Sequence, residues 1–600
     1  MYASCLKLLI FYFLLAFASC WGNSASAQEP VRRSARRTVQ SYKRKPASAT
    51  ANYPDDKFIA KGKILFQKNC SSCHNFLQRG IGPNLAHVTA EVSPDWLKKF
   101  ISNAPARINQ GDGRAVRLLE EYKQLMPAFP TLTEFELNAL LAYLQANHKP
   151  QSLAPQPGTL GVGLKNPVPA KPIQSGLKLR LSEVLTAPAT AKAAPRARIN
   201  KMVVLPGLSG QDQPDRVFIQ DLRGTLYELL DNKLRIFMDI RKQLSGFVDA
   251  PGLGTGFGSV AFHPDFYQNG LFYTTHNENA GAAPAGFTYP DSIHVTLQGV
   301  VTEWKMRSPA ESIFSGTRRE LMRINFVSAI HGLQEISFNP MARPGSDDYG
   351  LLYIGVGDGG ATEEGYYGLC KDETQIWGSV VRIDPLGTNI EMGSYKIPPG
   401  NPYANDQNPA TLGEIFCRGF RNPNRISWTY DGKMLITDIG QHNAEEVNFG
   451  MKGADYGWPE REGTFRINPR GDMSIVYSLP ADDSLTTYSY PVIQYDHDEG
   501  SAISGGFVYD GTSLPELRGK YIFGDIVNGR IFFVDNKDLM PGVQATIQEL
   551  ELEVDGQVTN FKTLCGSEKT DLRFGIGLHK ELYLFTKSDG KIYQATACKH

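Results

Sequence analysis

The sequence predicts a mainly β chain, a six-bladed β-propeller preceded by a small all-α domain. Three observations predict it. Short apolar strands separated by Asp- or Gly-centred turns recur from about residue 177 to the C-terminus at residue 600. The 58 glycines and 37 prolines, with 31 phenylalanines and 26 tyrosines, suit many turns and many short packed strands. Two stretches before residue 150, KGKILFQKNCSSCHN and TEFELNALLAYLQ, carry the spacing of helices instead.

At the N-terminus, Lys7 is followed by the apolar run LLIFYFLLAFA, which is too short for a membrane span and reads as an export signal over residues 1–27. Cleavage after Ala25-Ser26-Ala27 is the favoured reading. The alternative is Phe17-Ala18-Ser19-Cys20, which resembles a lipoprotein box and would anchor the chain through a lipid on Cys20. Either route delivers the protein to the periplasm or beyond, where covalent haem and disulfides form. Residues 28–54 contain VRRSARRTVQSYKRKPASAT, a basic run without an acid that reads as a solvated, disordered tether. The formal net charge of the chain is +0, which argues against a nucleic-acid partner.

Residues 55–148 hold the most specific motif, Cys70-Ser-Ser-Cys73-His74. Two thiols at this spacing match the two vinyl groups of a haem, and the adjacent histidine reaches the iron. No second CxxC is present to complete a zinc site. Met126, before Pro127 and a final helix, is the best sixth ligand, with a core methionine as the alternative. Gly82-Pro83-Asn84-Leu85 and Met126-Pro127-Ala128-Phe129-Pro130 complete a region that resembles a class I cytochrome c. Its thioether ligand suits electron transfer rather than oxygen chemistry.

Residues 149–176, rich in proline and glycine, read as a semi-extended linker. From 177 to 600 the hairpins follow: RVFIQDLRGTLYELL, GLLYIGVGDGG, KMLITDIG, GKYIFGDIVNGRIFFV and ELYLFTKSDGKIYQA. Repetition on this scale suits a propeller of six blades, each of about 70 residues. Beyond the signal and haem cysteines lie Cys370, Cys417, Cys565 and Cys598. Three pairings are open, with Cys565–Cys598 and Cys370–Cys417 preferred.

The loops carry the candidate chemistry. His331 stands just before a strand in SAIHGLQEISF, as a structural histidine or a base. Arg421-Asn422-Pro423 sets a fork-shaped cation beside an amide, which suits a planar anion with carboxylates and carbonyls, or a salt bridge between blades. Asp438-Ile-Gly440-Gln441, followed by Glu445-Glu446, is an oxygen-rich turn appropriate to Ca²⁺, or simply a solvated one.

Seven segments in order, GFGSVAFHPDFYQNGLFY, AIHGLQEISF, GLLYIGVGDGG, IWGSVVRIDP, GFRNPNRISW, DIGQHNAEEVNFGMKGADYGWP and SGGFVYDGTSLPELRGKYIFGD, resemble the glucose/sorbosone dehydrogenase family. The resemblance spans about residues 195–597 and implies a six-bladed propeller that oxidises aldose sugars with pyrroloquinoline quinone and Ca²⁺. By motif, His331 matches the base that takes the proton of the sugar C1 hydroxyl. Arg421, Asn422 and Arg573 match residues that hold the quinone. The backbone carbonyls of Gly440 and Gln441 match calcium ligands, and Glu445 or Glu446 the acidic position after them. Gly254 stands where members often have Gln or Glu, and Val527 and Asn528 stand where glucose-oxidising members have a cofactor lysine. The position near Asp571 lacks the first of two arginines. The expectation is a quinohaemoprotein sugar dehydrogenase whose haem passes electrons to a downstream periplasmic carrier or terminal oxidase. The alternative is a carbohydrate- or protein-binding propeller without quinone, of the kind known in hedgehog-interacting relatives, carrying an electron-transfer cytochrome.

Overall fold

The computed structural model describes residues 56–600, apart from 72, 77–79, 81, 123, 148–159, 166–170, 208–212, 253, 389–393 and 486–487. The export signal, the basic tether, Cys20 and most of the second linker lie outside the described residues. The chain folds as a small helical region followed by a propeller-like array of sheets.

In the helical region, helix Asp56–Asn69 packs against helix Glu134–Ala146. Leu65, Phe66, Leu137, Leu140, Leu141 and Leu144 are buried between and beside them. The second helix starts where the sequence places a capping box: the Thr133 hydroxyl accepts from the Glu136 amide, and the Glu136 carboxylate accepts from the Thr133 amide at 3.0 Å. Such a box satisfies two otherwise orphaned donors and is worth about 1 kcal/mol. Phe66 stacks on Phe76 and leans on Tyr143, which fixes the loop that carries Cys70, Cys73 and His74.

The sheets are antiparallel hairpins in chain order. The first is Ile199–Leu205, Arg216–Asp221, Thr225–Leu230 and Lys233–Asp239; the second is Phe257–Phe262, Leu271–Asn279, Leu297–Met306 and Gly316–Phe326. The third is Leu333–Phe338, Leu352–Val356, Ser379–Ile383 and Ile415–Arg418; the fourth is Pro423–Trp428, Met434–Asp438, Ala444–Gly450 and Ile493–Asp496. Besides a two-stranded ribbon of Arg461–Glu462 and Phe465–Arg466, the remainder forms one nine-stranded sheet. It runs Ile503–Val508, Lys520–Asp525, Ile531–Asp535, Gln548–Val554, Ile173–Thr186, Lys591–Lys599, Leu582–Thr586 and Leu572–Ile576, with Gln557–Thr559 paired to Gln548–Val554.

Strand Ile173–Thr186 closes the array by pairing antiparallel with Lys591–Lys599 and parallel with Gln548–Val554. It opens at Ile173, inside the stretch read as linker, because its first residues face solvent and carry no apolar alternation. Strands Ile199–Leu205, Phe257–Phe262, Leu333–Phe338, Pro423–Trp428, Ile503–Val508 and Leu572–Ile576 pack each against the next, and the last against the first. Aromatic clusters such as Phe218, Phe237, Phe262 and Phe272 fill the space between neighbouring sheets, each buried ring contributing ~1.5–3 kcal/mol.

The preferred disulfides do not form: Cys370, Cys417, Cys565 and Cys598 are free thiols. Cys417 is buried on a strand paired with Val380, whereas Cys370 belongs to a different hydrophobic cluster, so the two side chains serve separate cores. Cys598 is buried on the last strand, beside charges of Glu516 and Lys520, while Cys565 faces Thr586 and Asp589.

Candidate functional site

Antiparallel hairpins in a ring bring two kinds of position to one end: residues just before the first strand of each sheet, and residues just after its second strand. His331, Arg421, Asn422, Lys569 and Asp571 are of the first kind; Asp358, Ile439, Val527 and Lys587 are of the second. They converge because consecutive strands run in opposite directions. All but Asp358 line a cavity of about 550 Å³.

Within it, His331 adopts a left-handed backbone (φ 50°), which a non-glycine residue keeps only when its surroundings impose it. Its Nδ1 lies 2.8 Å from Asp358 Oδ1. The same oxygen accepts from the Gly360 amide at 2.8 Å, and Oδ2 accepts from the Trp458 indole at 3.1 Å. Asp358 is fully buried, which opposes ionisation, yet the His331 and Arg421 charges and these donors hold its carboxyl below the usual range. An ionised Asp358 fixes the proton on His331 Nδ1 and leaves Nε2 as the basic atom. Sequence reasoning left Asp358 unassigned, although it sits in the quoted segment GLLYIGVGDGG.

The Arg421 guanidinium donates to Glu363 at 2.5 Å, to the Ile439 carbonyl at 3.1 Å and to the Gly440 carbonyl at 2.8 Å, over the Trp458 ring. Glu363 lies in the loop between the second and third strands of the third sheet and Arg421 precedes the fourth, so the arginine is a bridge between sheets as well as a cavity wall. The backbone amides of Arg421 and Asn422 donate to Asp438 at 3.0 and 2.6 Å, which sets the angle at which both side chains enter. Arg421 Nε, Asn422 Oδ1 and Gln441 Oε1 are buried with no hydrogen-bond partner among the described residues.

Gly254 and Val527, the two departures from the family pattern, also line the cavity. A Cβ at Gly254 would come within 2.5 Å of Gln334 Nε2, so Gln334 occupies the space that a side chain at 254 would take. A polar group is thus supplied from the neighbouring sheet. Arg573 donates to Asn200 at 3.1 Å, and burial, then the Arg425 charge, lower its guanidinium to about 9 against the pull of Asp571.

The oxygen-rich turn is tied to the protein by several internal hydrogen bonds. The Gly440 carbonyl already accepts from Arg421, and the Gln441, His442, Asn443 and Ala444 amides all donate to Glu462 Oε1. Glu445 is not at the turn: His497 Nε2 lies 2.9 Å from one of its oxygens and the Ile503 amide donates to the other at 2.8 Å. Among the described residues no group of three or more His, Cys, Asp and Glu side chains is set to hold a metal ion. The side chains present therefore form no calcium cage of their own. They do fit a planar polyanion, through a buried amide and guanidinium with unspent hydrogen bonds and a surplus of buried cations.

In the helical region, Cys70, Cys73, His74 and Met126 line one cavity of about 830 Å³, whose walls include Phe66, Leu97, Phe100 and Ile101. His74 Nδ1 lies 2.9 Å from the Pro83 carbonyl, which leaves Nε2 for iron. Burial lowers the imidazole's proton affinity and keeps it neutral, as a ligand must be. A Cβ at Gly82 would come within 2.4 Å of the His74 ring, so only glycine lets the chain pass so close. Burial and the neighbouring Cys73 push the Cys70 thiol up to about 12. The residues fit a haem c. Met126 is half-buried beside the same core.

Residues 216–558 match the glucose/sorbosone dehydrogenase family, and residues 59–147 match cytochrome c. The chain belongs to the glucose/sorbosone dehydrogenase family. It also carries a cytochrome c domain on the N-terminal side. It is 28% identical over 332 residues to the HIPL2 protein of Arabidopsis thaliana, covering 48% of this chain and 44% of that protein. It is 25% identical over 326 residues to the Hedgehog-interacting protein of Homo sapiens, covering 53% and 40%. It is 25% identical over 231 residues to quinoprotein glucose dehydrogenase B of Acinetobacter calcoaceticus, covering 36% and 42%. The chain thus spans less than half the length of each of these relatives.

Proposed function

We propose that this family member is an exported quinohaemoprotein dehydrogenase, which oxidises the C1 hydroxyl of an aldose sugar at the propeller mouth and delivers the electrons to its own haem c. The observation that carries this reading is that the two cavities share a wall: Tyr122, Gln124, Lys569, Asp571 and Lys587 line both. We count the nine-stranded sheet as two blades joined through strand Ile173–Thr186, which makes six. Pyrroloquinoline quinone, when bound, would supply the two-electron acceptor, and haem the one-electron exit. His331 Nε2 takes the proton of the C1 hydroxyl, and Asp358 stabilises the imidazolium that results. Asn422, Gln441, Arg421 and Arg573 hold the polar rim of the cofactor. Calcium is left out of this scheme, because no side chains of the turn are set to hold it.

The test is reconstitution of the purified, haem-loaded chain with pyrroloquinoline quinone, with and without Ca²⁺, followed by a panel of aldoses while the haem α-band is monitored. Haem reduction by an aldose supports the reading. No reduction with any sugar, together with no retention of quinone on dialysis, leaves the binding-propeller alternative in its place.

A further inference from the structure

Lys587 is the first residue after strand Leu582–Thr586, the position that also presents Ile439 and Ile526 to the mouth from other hairpins. The residue is 3% exposed, and its ammonium makes no hydrogen bond or ion pair among the described residues. Around it stand Arg573, Arg198 and Arg425, with Asp571 as the counter-charge. Asp571 is itself shared with Lys569, at 3.9 Å. Burial first, then the Arg573 charge, drive the Lys587 ammonium well below its ordinary proton affinity. An unpaired buried ammonium costs several kcal/mol and persists where something outside the chain compensates it. The position near Asp571 lacks the first of two arginines of the family pattern, and Lys587 faces Asp571 from beyond the next strand, so a cation returns to that corner.

We propose that Lys587 is the anchor of a carboxylate-binding site in the wall between the two cavities. The inference rests on the quinone reading above for one of its two sources of carboxylate: an edge carboxylate of pyrroloquinoline quinone entering from the mouth, or a haem propionate entering from the other side. Arg573 and Lys569 flank the site and supply further donors. Gln334 and Asn422 line the same cavity as uncharged polar groups.

The experiment uses the full haem-loaded chain and Lys587→Gln and Lys587→Arg variants. Equilibrium dialysis measures the dissociation constant of pyrroloquinoline quinone and of its methyl-esterified form, and spectroelectrochemistry measures the haem midpoint potential. A quinone carboxylate at Lys587 predicts a roughly 10- to 100-fold weaker quinone affinity in Lys587→Gln. It also predicts recovery to within a few-fold in Lys587→Arg, no change for the ester, and an unmoved haem potential. A propionate predicts a shifted potential and an unchanged quinone affinity. Thermal unfolding without quinone separates function from scaffolding: Lys587→Gln melts at or above the wild-type temperature, because a buried unpaired charge has been removed. If neither affinity nor potential moves, or if Lys587→Gln melts well below wild type, the site is overturned. If the wild-type chain retains no quinone, the quinone reading falls, and the potential alone decides the carboxylate site.

Discussion

The haem site and the propeller mouth differ in how their residues are gathered. Cys70, Cys73 and His74 lie within one turn and loop, and a single neighbouring carbonyl, that of Pro83, sets the histidine's tautomer. At the mouth, Gly254, His331, Asn422 and Lys587 arrive from different hairpins, and His331 is held by Asp358, 27 residues further along the chain. A local site is fixed by covalent spacing. A convergent site tolerates the loss of a group at one position when another strand delivers a substitute into the same space.

The largest effect that would separate the two regions is loss of haem. A Cys70→Ser, Cys73→Ser variant should carry no covalent haem after denaturation, yet keep sugar oxidation with an added dye as acceptor. Loss of the dye reaction as well would tie the two sites together structurally. Next in size, His331→Ala should lower kcat with dye by about 10²–10⁴-fold while leaving quinone affinity near wild type. Asp358→Asn should fall between, because it disturbs the tautomer of a base that is still present. An unchanged kcat in His331→Ala would remove its role as base.

Smaller again, Gln334→Ala should weaken quinone binding several-fold in dialysis, since it removes the polar group that fills the place beside Gly254. Equal affinity would mean that nothing replaced the missing side chain. The least effect is on stability. Burial raises the Glu446 carboxyl to about 7, and its neighbour Asp438 is raised as well. A raised carboxyl contributes stability below its ordinary value of about 4.5, and that contribution is lost as pH climbs to about 7. Glu446→Gln should therefore melt above wild type at pH 8, with the difference closing towards pH 4.5; a gap that widens on acidification would refute the assignment.

These contrasts also explain what the sequence made legible. Hairpin strands such as Arg216–Asp221 with Thr225–Leu230 follow directly from alternation and turn residues, and the haem ligands from spacing. His331, Arg421, Asn422, Gly440, Gln441 and Arg573 do meet in one cavity. Glu445 departs from its expected place because acidity in a turn says nothing of which donors claim it, and here the His497 ring and the Ile503 amide do. Asp358 and Lys587 were missed because their meaning comes from ring closure rather than from their neighbours in the chain. The signal was present, however: both lie immediately beyond the second strand of a sheet, where the ring turns its residues inward. The cysteines misled for the opposite reason, since an even count was read as pairing while burial in separate cores keeps them apart.

The central claim is that the mouth feeds the haem of the same chain, and its most direct measurement is the rate of sugar-driven haem reduction as protein concentration is varied. With saturating aldose and bound quinone, a shared wall between the cavities predicts a first-order rate that stays constant across at least a tenfold range of protein concentration. A rate that rises in proportion to protein concentration would show electrons passing between separate molecules and would contradict the account.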